Sequence, residues 1–444
     1  MRILLEPSDP ELSNLGDAAM LRTTFTRLRK FWPNARIDIC TNSVTRLNQI
    51  CPGAHPILTT VRIAPSSPPT DGILRTQLAS GVREGIGGLK AWARERSPRL
   101  TQTVRQAGRL LFPHPGPRPS VPLRETEDYL AALRAADVLV VQGMGLIADV
   151  FAESARGLLN AIEMAHTWGV DVIMLGQGIG PISGELRSHT GAALKLARLI
   201  ALREWRAGLP LLRSLGIPED LITLTGDDAI ELAYMARGEA LGHAIGINVR
   251  GAPSIHSCYS GIDDRLVRQI AAVVQAIRRK WRVPVIPVPI ARSPANDDAQ
   301  TIRRMLGDGG THVTTVEQAL AQVVKCRLVI TGSYHAAVFA LSAGIPAIGL
   351  AKSAYYVDKF LGLQHAFGAS CDLVHLDDPN WPGKLIAAVE HEWESADELR
   401  PKLLDSARRQ IEMGHRAYRA VFELVEARRR TLAARAGSTS PGIG

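Results

Sequence analysis

The stretch from Arg327 to Leu361 constrains the fold of this chain more than any other. Leu328, Val329 and Ile330 form a run of branched apolar residues without polar alternation, the pattern of a strand covered on both faces. Thr331, Gly332 and Ser333 turn the chain, with Ser333 the expected N-cap of an almost wholly apolar helix from Tyr334 to Ser342. Gly344 and Pro346 stop that helix, and Ile345 to Leu350 is the next strand. His335 therefore falls in the first turn of a buried helix, at the carboxyl end of a parallel strand, where open α/β sheets hold their ligands. A lone histidine there also fits an imidazole that merely bonds a nearby carbonyl. Its company favours chemistry: Lys352 follows the next strand and Lys359 lies on the helix after it, and two cations beside a helix N-terminus make an anion site.

A length of 444 residues suggests two to three domains, and with 46% apolar residues each can bury a core. No run of eighteen apolar residues occurs, and the chain enters the strand Arg2 to Leu5 without a charged and apolar leader, so a cytoplasmic protein is expected. The net charge of +9 favours anionic ligands or an anionic surface. Nucleic acid is not expected as a partner, because there is no zinc-ligand spacing and no basic run interleaved with aromatics. Five scattered cysteines without a CxxC pair read as reduced thiols, so neither a disulfide framework nor a metal site is expected.

Along the chain, Met20, Leu21, Phe25, Leu28 and Phe31 recur at helical spacing after a loop that ends at Gly16. Asp17 opens this helix, either as an ordinary cap or as an acceptor for ligand hydroxyls, with Gly16 letting backbone amides approach the ligand. Strands are expected at Arg36 to Thr41 and within His55 to Ala64. Residues 65–122 then interrupt the rhythm as a Pro-flanked insertion, and within it residues 89–112 alternate apolar and basic positions. That segment reads either as a solvated excursion or as a basic amphipathic face resting on anionic lipid, which would place the protein peripherally at the inner face of the membrane. The rhythm resumes with the strand Val138 to Val141, where Gly143 and Gly145 permit close backbone approach, and with Val170 to Leu175 followed by a loop from Gln177 to Pro181. Arg203 and Glu204 end the strand from Ile200, either as a surface ion pair or with the arginine on a phosphate or carboxylate. Asp227 and Asp228 fit caps, hydroxyl acceptors or metal ligands equally well.

A second block begins after Leu241 and Gly242 with the strand Ala244 to Val249, which delivers Arg250 at its end as the first block delivers Arg203. The loop to Gly261, with Ser254, His256, Ser257 and Tyr259, is polar enough to line a site. A helix from Asp263 to Trp281, a strand from Val283 to Ile290, a helix from near Asp297 and a short strand at His312 to Thr314 lead to the central stretch. Helices are expected at Trp381 to Trp393 and at Glu398 to Ala434. The pattern implies an α/β protein with two doubly wound Rossmann-like domains facing each other across a cleft. The divisions are 1–240 and 241–395, then C-terminal helices over 396–436 and a disordered tail over 437–444.

Ser333-Tyr334-His335-Ala336 followed by Phe339-Ala340 and Gly344-Ile345-Pro346 resembles the polysaccharide pyruvyl transferase family. Asn14-Leu15-Gly16-Asp17 is similar to that family's Asn-x-Gly-Asp, and Asp137 through Gly145 to its strand and GxG turn. Gly176 through Pro181 and Arg203-Glu204 are similar to two further elements, all in the family's order. One departure is Ser333, where many members carry arginine, so the anion contact would fall to Lys352 or Arg250.

The resemblance implies a GT-B-like arrangement and transfer of a pyruvyl group from phosphoenolpyruvate to a sugar or lipid-linked saccharide of a cell-surface polysaccharide, closing a ketal. It implies no metal or redox cofactor. His335 would be the proton donor, with Arg203, Arg250, Lys352 and Lys359 holding the donor's anions and Asn14, Gly16, Asp17, Gly143, Gly145, Gln177 and Ser333 lining the site. Two other classes remain: a glycosyltransferase of the same plan using a nucleotide sugar, and a non-catalytic basic protein that binds acidic glycans or nucleic acid.

Overall fold

The computed structural model describes residues 1–59, 123–251, 262–293, 296–368 and 370–438. The 65–122 insertion with its 89–112 segment, the residues Ser254, His256, Ser257 and Tyr259, and the tail from 439 lie outside the described residues.

Seven parallel strands make the first sheet: β1 (Arg2–Glu6), β2 (Arg36–Thr41), β3 (His55–Leu58), β4 (Val138–Val141), β5 (Asp171–Gln177), β6 (Leu199–Leu202) and β7 (Ile222–Leu224). They are ordered β3-β2-β1-β4-β5-β6-β7. The second half contributes β8 (Ala244–Asn248) and β9 (Val285–Pro287), a small antiparallel hairpin of β10 (Arg292–Ser293) and β11 (Asn296–Asp297), then β12 (Cys326–Thr331), β13 (Ala347–Ala351) and β14 (Cys371–His375). Its sheet runs β14-β13-β12-β8-β9, again all parallel. Two Rossmann-like sheets are thus present, as the β-α rhythm implies. Strand order reverses between β1 and β4 in one sheet and between β8 and β12 in the other. Crevices for ligands open at the carboxyl ends of such reversals. Residues 8–17 and 143–145 follow the first reversal; Arg250 and Ser333 to His335 follow the second.

The central stretch folds as its pattern requires. Every residue of the Tyr334–Ser342 helix is buried, between its own sheet, the Ala229–Ala236 helix of the first half and Leu403 and Ala407 near the C-terminus. Ser333 holds the N-cap position, but its side chain makes no capping bond; Thr331 Oγ1 instead accepts from the Ser333 amide at 2.8 Å.

Two features join the halves. Backbone hydrogen bonds from Leu15 N to Ile290 O (2.9 Å) and from Arg292 N to Ser13 O (3.1 Å) pair the 13–15 segment with the chain after β9. The second is the Trp381–Ser438 helix, 58 residues long. It starts against the second sheet through Leu385 and Val389 and ends in the core of the first through Ala417, Tyr418, Val421 and Val425. The break expected between Trp393 and Glu398 does not occur, and even Pro401 sits inside this one helix. The strand expected at His312 to Thr314 is also absent, those residues forming a turn and loop, whereas β14 is an additional edge strand. No described helix is long and apolar enough to cross a membrane.

Candidate functional site

The two strand-order reversals face each other across a cavity of about 190 Å³. From the first half come Asn14, Asp17, Gly145 and Arg203; from the second come Arg250, Ser333, His335 and Lys359. Three tyrosines, Tyr334, Tyr355 and Tyr356, complete the wall together with Ser8, Leu146 and Phe151.

His335 lies on the floor, only 6% exposed. Gly16 sets its position from the opposite half: a Cβ there would lie 2.0 Å from the imidazole Cγ and 2.3 Å from Nδ1. Gly16 is therefore needed so that the ring can lie against the start of the Leu15–Phe31 helix, not to bring its amides to a ligand as expected. Its amide is in fact taken, together with that of Asp17, by the side chain of Asn14, which is the helix cap in place of Asp17. The other ring nitrogen, Nε2, is buried without a hydrogen-bond partner, 3.7 Å from Asp227 Oδ2.

Asp227 is the residue the sequence left undecided. Its Oδ2 accepts from Arg203 Nη1 at 2.7 Å and its Oδ1 from the Ala229 amide at 2.8 Å. Burial pushes its carboxyl pKa up, but the Arg203 guanidinium and His335 more than reverse this and hold it at about 2. Asp227 is thus an ionised carboxylate fixed between a guanidinium and an imidazole. Asp17, across the ring, has a raised pKa because burial outweighs the attraction of His335.

The cations are unequal. Arg203 is neither on the surface nor paired with Glu204: it is buried against Asp227 and lies 4.9 Å from the centroid of Tyr334. Glu204 accepts from the Ala207 and Gly208 amides, capping the next helix. Arg250 donates to the Tyr356 hydroxyl at 3.1 Å, with its Nε buried and 3.7 Å from Asp298. Lys359 Nζ has no hydrogen-bond or ion-pair partner among the described residues and rests 4.2 Å and 5.2 Å from the ring centroids of Tyr355 and Tyr334. Burial, then the repulsion of Arg203 and Arg250, push its pKa down from 10.5 to about 7. Gly145 makes room for this amine, since a Cβ there would lie 2.7 Å from it.

Three expected site residues stand elsewhere. Lys352 pairs with Asp377 at 3.6 Å on the outer side and does not line the cavity, because it leaves β13 two helical turns before the chain turns Lys359 inward. Gln177 is fully buried and donates to the carbonyls of Gln142 and Leu175, tying β4 to β5. Gly143 packs where a Cβ would lie 3.0 Å from the Gly176 carbonyl and 3.2 Å from Met20 Sδ, so its lack of a side chain serves chain packing. Tyr334 falls inside the Ser333-Tyr334-His335 motif, and adjacent Tyr355 and Tyr356 at the start of a helix after a parallel strand are a readable signal for the rest of the aromatic wall.

A family model described as polysaccharide pyruvyl transferase matches residues 14–353. No curated protein matches the chain by sequence. Among solved structures, the UDP-GlcNAc 2-epimerase from Neisseria meningitidis bound to UDP-GlcNAc is similar at 11% identity and a TM-score of 0.52, with 93% of this chain and 99% of that chain covered. The UDP-GlcNAc 2-epimerase from Methanocaldococcus jannaschii is similar at 12% identity and a TM-score of 0.52, with 93% and 99% covered. Identities this low speak to the fold alone, which is the GT-B arrangement of two Rossmann-like sheets.

Proposed function

Since the chain belongs to the polysaccharide pyruvyl transferase family, we propose that it moves the pyruvyl group of phosphoenolpyruvate onto two hydroxyls of a saccharide that becomes part of a cell-surface polysaccharide. One arrangement carries this reading: an imidazole whose Nε2 is buried without a hydrogen-bond partner, 3.7 Å from the carboxylate of Asp227, in a cavity that also holds Arg203 and Arg250. The donor's methylene carbon has to be protonated before its neighbour can accept a hydroxyl. His335 is the proton donor, with the Asp227 carboxylate 3.7 Å from its Nε2, and general acid help of this kind is worth about 10²–10⁴ in rate. Arg203 and Arg250 hold the donor's carboxylate and phosphate. With Ser333 in place of an arginine, and Lys352 directed outward, the anion contact beside His335 falls to Arg250.

Size supports a small donor. A cavity of about 190 Å³ is below the roughly 300–1,000 Å³ typical of pockets that bury drug-sized ligands. It has room for a three-carbon dianion, whereas a nucleotide sugar would have to extend into the adjoining cavity of about 250 Å³ lined by Ile179, Ile182 and Leu211. The test is incubation with phosphoenolpyruvate and a panel of lipid-linked saccharides, following phosphate release and the mass of the acceptor. Thermal stabilisation by phosphoenolpyruvate and not by UDP- or GDP-sugars is expected in parallel. Stabilisation by a nucleotide sugar alone, with phosphoenolpyruvate inert, overturns the reading.

A further inference from the structure

A second cavity of about 250 Å³ adjoins the first, and four residues, Arg203, Tyr334, Tyr355 and Lys359, line both. Its far side is formed by Ile179, Pro181, Ile182 and Leu211, with Asp358 at its edge. Ketal formation brings two acceptor hydroxyls onto one donor carbon, so the acceptor must occupy a space that shares a wall with the donor site. We propose that the acceptor saccharide binds in this second cavity, its apolar ring face against Ile182 and Leu211, and that Lys359 on the shared wall takes the proton from the attacking hydroxyl. This rests on the donor being phosphoenolpyruvate.

Lys359 lines both cavities and is placed for that task. Its amine makes no ion pair or hydrogen bond with any described residue. The charged groups facing it are Arg203 after β6, Arg250 after β8, Asp17 on the Leu15–Phe31 helix and Asp227 after β7. Tyr334 and Tyr355 present ring faces to it, and His335 lines the same donor cavity. The two guanidiniums and burial leave an amine that gives up its proton near neutrality, as a base for a hydroxyl requires.

The protons balance without an outside donor. His335 delivers a proton to the methylene carbon. The first hydroxyl oxygen bonds to the neighbouring carbon and its proton passes to Lys359 Nζ. The bond from that carbon to the phosphate oxygen breaks, its electron pair leaves with phosphate, and phosphate takes the proton held by Lys359. The second hydroxyl oxygen then bonds to the same carbon, and its proton restores His335. Both side chains end as they began.

Lys359→Arg keeps the positive charge but cannot act as a base near neutral pH. It is expected to retain stabilisation by phosphoenolpyruvate while kcat falls about 10²–10⁴-fold, and to lack the rise in kcat through about pH 7 that is expected of wild type. Leu211→Trp, which fills the second cavity, is expected to raise the acceptor KM with little change in that for phosphoenolpyruvate. A Lys359→Arg enzyme within about threefold of wild type in kcat, or a Leu211→Trp enzyme that raises only the phosphoenolpyruvate KM, overturns the proposal. An arm independent of turnover follows the lysine Cε resonances of ¹³C-labelled protein with pH, Lys359→Arg supplying the assignment. A Lys359 midpoint near the ordinary lysine value of about 10.4 overturns the proposal even before an acceptor is known. Absence of phosphoenolpyruvate binding by wild type removes the donor reading and this proposal with it, and the stabilisation assay reports that outcome separately.

Discussion

Asp227 and Asp228 are neighbours in the chain and both are buried, yet they serve opposite ends. Asp228 has both oxygens occupied: Oδ1 accepts from Arg27 at 2.7 Å, and Oδ2 accepts from Tyr418 at 2.6 Å and Thr24 at 3.1 Å. Arg27 also donates to Glu231 at 2.6 Å, and its guanidinium lies 4.8 Å from the Tyr418 ring centroid. This cluster ties the Leu15–Phe31 helix, the Ala229–Ala236 helix and the long C-terminal helix together. On the other side of the same turn, Asp227 shares its surroundings with an imidazole nitrogen and an amine that have no hydrogen-bond partner. The physical difference is satisfaction. Both oxygens of Asp228 are answered and, apart from Arg27 Nε, its cluster keeps its donors for structure, whereas beside Asp227 the imidazole nitrogen and the amine that line the cavity remain available to a ligand.

The largest expected effect lies on the unsatisfied side. His335→Ala should lower phosphate release by about 10²–10⁴-fold while unfolding stays cooperative, since Nε2 gives up no hydrogen bond; turnover near wild type would erase the distinction. On the satisfied side, Asp228→Ala leaves Arg27 buried without its main partner and should cost about 3–5 kcal/mol, read as a lower urea midpoint. A loss below about 1 kcal/mol would show the cluster to be no more than ordinary surface pairing. Tyr418→Phe, which removes only the hydroxyl bonded to Asp228, should cost about 1.5–3 kcal/mol and leave kcat unchanged in assays of the folded enzyme.

Two effects of pH sharpen the contrast within the site. Asp227 is held at about 2, below its unfolded value of about 3.9. Its contribution to stability is therefore complete above that unfolded value and is lost as pH falls through about 2. Denaturation series between pH 5 and 2 on wild type and Asp227→Asn should differ in slope. Lys359 has the opposite consequence. Its folded amine releases a proton near 7 while the unfolded chain keeps it until 10.5. The unfolded state binds more protons in that window, so stability rises with pH between those values. Lys359→Met should abolish the rise and raise the urea midpoint at pH 6.

The sequence and the structure part company for reasons visible in single residues. The run Leu328 to Ile330 and the apolar helix after it were readable because burial on all sides leaves little choice of residue. Strand β14, with Asp372 and His375 at the edge of its sheet, carries no such signature. The break expected between Trp393 and Glu398 is instead bridged by one helix whose length is set by packing on both sheets. Within the site, His335, Arg203, Arg250, Asp17 and Lys359 were legible as polar, titratable residues just past strand ends or on the helices that follow. The glycines were ambiguous, because a missing side chain makes room equally for a ligand, for another strand or for an imidazole. Asp227 could not be told from Asp228, because only the fold decides which of two adjacent carboxylates turns toward the cleft.

The contact between Gly16 and His335 has a consequence for anyone recombining this protein. The residue that would donate the proton belongs to one half of the molecule, but the bare spot that aims its ring belongs to the other. A chimera that imports the second half alone would inherit the reagent without its sight line. Adding even one methyl group at position 16, which would run into the imidazole at Cγ and Nδ1, should disarm the native enzyme just as surely.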